Sequence, residues 1–180
     1  MAFRAALLQR HPRHLKVLQR VAALAGWGTP MAAAADGAKR ARGVALHQSF
    51  GSVVAQVAEV SITADKTIRV HRVVCVIDCG TPVNPNLIRQ QMESGIVFGL
   101  TAALYGRVDI DKGRVQQSNF HDYPLLRIDA CPAIETEVIA SSETPEGVGE
   151  PGTPPIAPAV ANALFALTGQ RLRTLPLKLA

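Results

Sequence analysis

Residues 51–78 read GSVVAQVAEVSITADKTIRVHRVVCVID, and the fold turns on them. Two runs, Gly51–Thr63 and Thr67–Asp78, are dominated by β-branched residues, with ADKT as the turn between them. A β-hairpin is the economical reading. The second run is apolar on both faces near its end, the pattern of a strand covered from two sides.

Toward the C-terminus, DCGTPVNPN closes the second strand. Asn84 suits an N-cap and Pro85 a first helical position. A helix is predicted to about Tyr105, where Gly106 can stop it. Met92, Ile96, Leu100 and Leu104 make one apolar stripe, and Gln91, Gly95 and Gly99 make its neighbour at i, i+4 spacing. Two glycines inside a helix cost about 1 kcal/mol each relative to alanine. Close backbone approach is the usual compensation, and one polar amide, Gln91, shares that face. A second hairpin is predicted from Arg107 to Phe120 through DIDKGR, then a polar-aromatic loop. Ala133–Ala140 alternates as a half-buried strand with Ile134, Thr136 and Val138 on one face. A last helix is predicted from about Pro155 to Thr168, with Ile156, Val160, Leu164 and Leu167 inward and Gly169 as its cap. RLRTLPLKLA follows as an extended tail.

Toward the N-terminus, residues 12–25 read as a helix from Pro12 to Gly26, with Leu15, Leu18, Val21 (or Ala22) and Ala25 as its stripe. Gly28–Gly43 reads as a linker, small, charged and without periodicity. The chain is therefore expected in two parts: a basic helical segment with its linker, 1–42, and the body, 43–180. The predicted order is β-β-α-β-β-β-α. That makes the class α+β, with largely antiparallel sheets and two main helices.

Composition narrows the function classes. The chain has 180 residues, 48% of them apolar and 18% charged, which suits one globular domain. An aromatic content of 4% argues against a base-stacking surface. No apolar run reaches membrane-spanning length, and the start lacks the apolar core of a secretory signal. Residues 1–42 hold eight Lys/Arg against one acid, whereas the body holds eleven against thirteen. Basicity confined to one segment reads as a solvated helix face, and no nucleic-acid partner is expected. Cys75, Cys79 and Cys131 are an odd set, without the His or further Cys pair that a metal site needs. Cys75 and Cys79 read as small buried hydrophobes.

The chemistry-bearing stretch is EGVGEPGTPPIAPAVANAL, Glu146–Leu164. Glu150 lies between Gly149 and Pro151, just before the last helix. A carboxylate there can serve as a general base, and Gly147 and Gly149 leave the backbone open to a bulky partner. Phosphate is disfavoured, since Pro154, Pro155 and Pro158 remove backbone donors and no Lys-Ser/Thr follows. On the residues alone, Glu150 as a base and Glu150 as a helix cap both fit, and Glu143 and Glu146 are neighbouring carboxylates.

GVGEPGTPPIAPAVANAL resembles the active-site turn and following helix in the molybdenum subunit of the xanthine oxidase and aldehyde oxidoreductase family. IDCGTPVNPNLIRQQMESGIVFGLTAALYG is similar to that family's other late motif. QSNFHDYPLLRIDACP looks most like the isoquinoline 1-oxidoreductase branch, its beta subunit, and its aldehyde-oxidising relatives. PRHLKVLQRVAALAGWG also resembles sequence just upstream in that subunit. The resemblance implies part of a molybdopterin-binding domain in an enzyme that hydroxylates N-heterocycles or oxidises aldehydes with water-derived oxygen. It implies Glu150 as the base that deprotonates Mo–OH. Gly147, Val148 and Gly149 match the turn lining the metal, and Gln91 matches the glutamine that hydrogen-bonds the pterin. It implies the cytosine dinucleotide form of the molybdenum cofactor, with [2Fe–2S] clusters on a partner iron–sulfur subunit.

The family's molybdenum subunit is several times longer, so the resemblance covers only its C-terminal end, and Ser94 stands where many relatives have glycine. The remainder of the molybdenum subunit is then an expected partner, and the isolated chain is expected to be inactive. Exposed apolar surface is expected on it, and with that a homodimer or aggregation. The alternative is a non-catalytic fragment or binding module that keeps the fold without cofactor. Location is expected to be cytoplasmic by default, or periplasmic if the complete subunit carries an export signal.

Overall fold

The hairpin of residues 51–78 forms the middle of a four-stranded sheet. The computed structural model describes residues 1–179, so the last residue of the expected tail, Ala180, lies outside the described residues. Its helices are α1 (Ala2–Leu7), α2 (Pro12–Leu24), α3 (Pro85–Leu104) and α4 (Ile156–Thr168). Its strands are β1 (Arg40–Ser49), β2 (Ser52–Ile62), β3 (Ile68–Asp78), β4 (Ile110–Asp111), β5 (Arg114–Val115) and β6 (Ala133–Val138). The main sheet runs β1-β2-β3-β6. β1, β2 and β3 pair antiparallel, and β6 lies parallel to β3. Helices with a mainly antiparallel sheet are the class expected from the sequence.

Both faces of the central hairpin are covered. Val54, Ala58 and Val60 of β2, with Val73, Cys75 and Ile77 of β3, share a core with α3 and α4. Val53, Ala55 and Val57, with Val74 and Val76, share a second core with Val17, Leu18 and Val21 of α2. Strand alternation divides the two sets. The result is helix, sheet and helix in three layers, which explains why β2 is buried almost throughout.

Three expectations need correction. Residues 40–43 read as linker, yet β1 begins at Arg40 and pairs with β2 along its whole length. Its sequence, RARGVALHQS, is charged at one end and carries a glycine, so its strand signal is weak. Gly43 has a tertiary reason: a methyl there would overlap the Ala159 carbonyl oxygen of α4. The Asn162 side-chain amide donates to Val44 O at 3.0 Å across the same crossing.

Second, α2 does not stand apart from the body but lies on the sheet, and Val17 rather than Leu15 completes its buried face. Arg13 donates to Asp78 Oδ1 at 3.0 Å and to Gly51 O at 2.9 Å. Arg20 forks onto both Glu137 oxygens at 2.6 and 2.7 Å. Arg42 and Arg72 share the buried Glu59. Three of the eight N-terminal cations, Arg13, Arg20 and Arg42, therefore pair with acids of the sheet. Third, the hairpin expected over 107–120 has only the two-residue strands β4 and β5. Its turn places Lys112 at φ 48° and Gly113 at φ 76°, as a two-residue hairpin loop requires.

Apolar side chains do stand in solvent, among them Phe50, Val83, Leu87, Phe98, Phe120 and Ile128.

Gly43→Ala should destabilise the chain by about 1–3 kcal/mol or more, because the obstacle is backbone and cannot rotate away. An unchanged urea midpoint would show that α4 does not cross β1 there. A second expectation concerns acid. The hydrogen bonds from Arg20 hold the Glu137 carboxyl below its ordinary range. Its contribution is therefore present above the ordinary carboxylate pKa and is lost as pH falls through the lowered folded-state value. Trp27, half-buried in the α2 core, reports this. Its fluorescence should shift in acid, and Arg20→Gln should show the loosened signal already at neutral pH. Identical acid profiles in the two proteins would refute the coupling.

Candidate active site

The turn that carries Glu150 joins β6 to α4 and is held by its backbone from several elements. Thr81 N–H donates to Glu143 O at 2.9 Å, and Glu146 N–H donates to Cys79 O at 2.9 Å. Gly147 N–H donates to Phe50 O at 3.1 Å. The Ser52 hydroxyl donates to Gly147 O at 2.6 Å, and the Gln56 amide donates to Gly152 O at 2.7 Å. Gly80, at φ 75°, makes the β3–α3 corner tight enough for this, since a methyl there would overlap Thr144 O.

Beyond Glu150 the turn presses onto α3. A methyl on Gly95 would stand 3.2 Å from Gly152 Cα, one on Gly99 would stand 2.8 Å from Thr153 O, and one on Gly152 would stand 3.0 Å from Met92 O. The Thr153 hydroxyl donates to Gly95 O at 3.3 Å. This is the close approach that two glycines in a helix imply. α3 starts as expected, with the Asn84 side chain accepting from the N–H groups of Asn86 and Leu87.

Glu150 is exposed at the surface. It does not cap α4 with its side chain: Pro155 holds the N-cap position without a side-chain hydrogen bond. Only its backbone serves the turn, Glu150 O accepting from Thr153 N–H at 2.9 Å. Val148 is half-buried against the α3–α4 core, and Gly149 has open space where a side chain would be. Gln91 is exposed and heads the stripe continued by Gly95 and Gly99, on which the turn rests. Among the described residues, neither the Gln91 nor the Glu150 side chain has a hydrogen-bond partner within the chain. Sequence reasoning misses Ser52 and Gln56. Their signal is two polar residues in a face otherwise made of Val54, Ala58 and Val60.

The other candidates lie apart. Burial pushes the Cys75 thiol up to about 12 and also raises that of Cys79, so both are inert core residues, whereas Cys131 is exposed. Among the described residues, no cluster of His, Cys, Asp or Glu could hold a metal ion. A cavity of about 300 Å³ between α4 and the C-terminal tail, where Arg171 stacks on Phe165, shares no residue with the Glu150 turn. What the turn and α3 offer is an open backbone at Gly149, a free amide and a free carboxylate. That leaves room beside the backbone for a bulky ligand.

Comparison with known proteins gives that ligand a class. The molybdopterin cofactor-binding domain family matches residues 13–132, two thirds of the chain. The beta subunit of isoquinoline 1-oxidoreductase from Brevundimonas diminuta is 40% identical over 98% of this chain and 22% of its own length. A nicotinate dehydrogenase subunit from Pseudomonas putida is 32% identical over 92% of this chain and 15% of its own. In three dimensions the chain resembles quinoline 2-oxidoreductase from Pseudomonas putida 86. The TM-score is 0.64 at 24% identity, over 69% of this chain and 17% of that one, a likeness of fold. The chain thus spans about a fifth of the length of the curated relatives it matches.

The two glycines beside Glu150 should respond differently to a methyl. Gly149→Ala projects into open space and should leave stability within about 0.5 kcal/mol. Gly152→Ala pushes against the α3 backbone and should cost about 1–3 kcal/mol. Equal denaturation midpoints for the two variants would contradict the placement of the turn.

Proposed function

Because the chain belongs to the molybdopterin cofactor-binding domain family, we propose that Gly147–Glu150 and Gln91 form one wall of the molybdenum-cofactor site of an oxidoreductase. On this reading the substrates are N-heterocycles or aldehydes, and Glu150 is the catalytic base. The observation that carries it is a free carboxylate on a backbone immobilised from β2, β3 and α3. The names of the relatives that act on isoquinoline and nicotinate favour the N-heterocyclic class. When bound, the molybdenum cofactor, in its cytosine dinucleotide form, supplies the two-electron oxidation, with electrons leaving through [2Fe–2S] clusters on a partner iron–sulfur subunit.

The chain's own residues do the rest. A Glu150 carboxylate oxygen accepts the proton of the water-derived oxygen nucleophile as it attacks the electrophilic carbon. The Gln91 amide hydrogen-bonds the pterin. Gly149 lets the ligand approach the backbone, while Val148, anchored in the core, keeps the turn from receding. The remainder of a molybdenum subunit closes the other side, so the isolated chain is inactive.

Glu150→Gln in the assembled enzyme keeps size and hydrogen bonding but removes the basic site. Reduction by substrate should slow by about 10²–10⁴-fold or more, with metal and pterin content unchanged. A cofactor-loaded variant reduced at the wild-type rate would exclude Glu150 as the base.

A further inference from the structure

Two polar side chains are buried where the sheet meets α3 and α4. Ser52 and Gln56 lie on β2, both fully inaccessible to solvent, in the face whose other members are Val54, Ala58 and Val60. Gln56 is among the largest fully buried side chains, so it fills space there as well as making a polar contact. The Gln56 amide nitrogen reaches Gly152 O, with only a long 3.9 Å contact to Cys75 Sγ besides, and its Oε1 has no partner. A buried acceptor left unpaired costs stability, so what the amide contributes is the hydrogen bond it donates to the buried Gly152 carbonyl.

The two hydrogen bonds end at opposite sides of Glu150. Ser52 holds the carbonyl of Gly147, and Gln56 holds that of Gly152. Four strand residues set the two anchors about 13 Å apart, while five residues of turn reach at most about 17 Å. Glu150 lies three residues after the first anchor and two before the second, and the turn closed by Thr153 N–H on Glu150 O shortens the segment further. We propose that Ser52 and Gln56 are positioning residues for Glu150, a two-point clip on β2 that fixes where its carboxylate stands. The catalytic half of this inference rests on the reading of Glu150 as base. The mechanical half does not.

Amide hydrogen exchange on the chain itself tests the clip. Gln56→Met removes the amide at constant volume, and Ser52→Ala removes the other anchor. Exchange at Thr153 in the first variant and at Gly147 in the second should quicken about tenfold. Val57 and Val74, in the β2–β3 ladder, should be unchanged, and Gln56→Met, which leaves the buried Gly152 carbonyl without its donor, should still fold with a modest loss of thermal stability. Unchanged exchange in the turn overturns the clip. So does a Gln56→Met chain that fails to fold or loses protection along the whole ladder, since Gln56 would then be an ordinary core residue. In the assembled enzyme, Gln56→Met should lower kcat with little change in KM, and the loss should vanish in a Glu150→Gln background. An equal loss in both backgrounds would show that Gln56 does not act through Glu150. If Glu150→Gln alone leaves the rate intact, the base is refuted and the catalytic half falls with it, whereas the exchange data still decide the clip.

Discussion

The contact between Gly152 and α3 governs the rest of this structure. Backbone presses on backbone there: a methyl on Gly95 or Gly152 would stand at only 3.2 or 3.0 Å, and one on Gly99 would overlap Ile156 and Thr153 O. Two helical glycines cost about 1 kcal/mol each. They persist because any methyl at the seam would lift the turn off the helix. Once the turn is seated, α4 must begin where it does. Its other side then comes down on β1, and Gly43 answers with a second close approach. The β1 edge, the two helices and the Glu150 turn are thus consequences of one another.

The opposite face of the sheet obeys a different balance. α2 places two arginine-centred contacts on its neighbours, Arg13 with Asp78 and Arg20 with Glu137, while Arg42 of β1 pairs with Glu59. The partly exposed Arg20–Glu137 pair contributes little beside the burial of Val17, Leu18 and Val21, about 1.5–3 kcal/mol for each side chain. The apolar stripe therefore drives docking, and the arginines orient the helix on the sheet. Arg13 also ties α2 to Gly51, next to the Phe50 carbonyl that holds Gly147. The N-terminal segment is mechanically continuous with the floor of the candidate site.

That floor explains how an exposed carboxylate can be well placed without being enclosed. Glu150 gains its position from the backbone on either side, which is fixed by hydrogen bonds to carbonyls rather than by contacts of the side chain itself. On the reading proposed above, the face it presents, with Gly149 open beside it and Gln91 on the neighbouring helix, is one wall of a cofactor site. A chain spanning about a fifth of its relatives' length is expected to supply one wall and not the whole.

Where the physics is local, the sequence alone was decisive. The Asn84 cap and Pro85 start of α3, the β-branched runs and ADKT turn that make residues 51–78 a hairpin, and the glycine stripe of α3 depend on residues within a few positions of each other. The motif around Glu150 stands out in the sequence as a candidate, because a carboxylate between glycines before a proline-rich helix start is an unusual local arrangement. What could not be read depends on partners far along the chain. β1 looks like linker because its strand character comes from pairing with β2 and from α4 crossing at Gly43. Val17 replaces Leu15 on the buried face because the angle at which α2 meets the sheet is set by tertiary contacts. Gln56, 94 positions before Glu150, reads as a stray polar residue in an apolar strand until the fold brings Gly152 onto its amide. Glu143, Glu146 and Glu150 are alike as side chains. Only the tertiary structure decided how each is presented, because the hydrogen bonds that hold their backbone come from β2, β3 and the corner before α3.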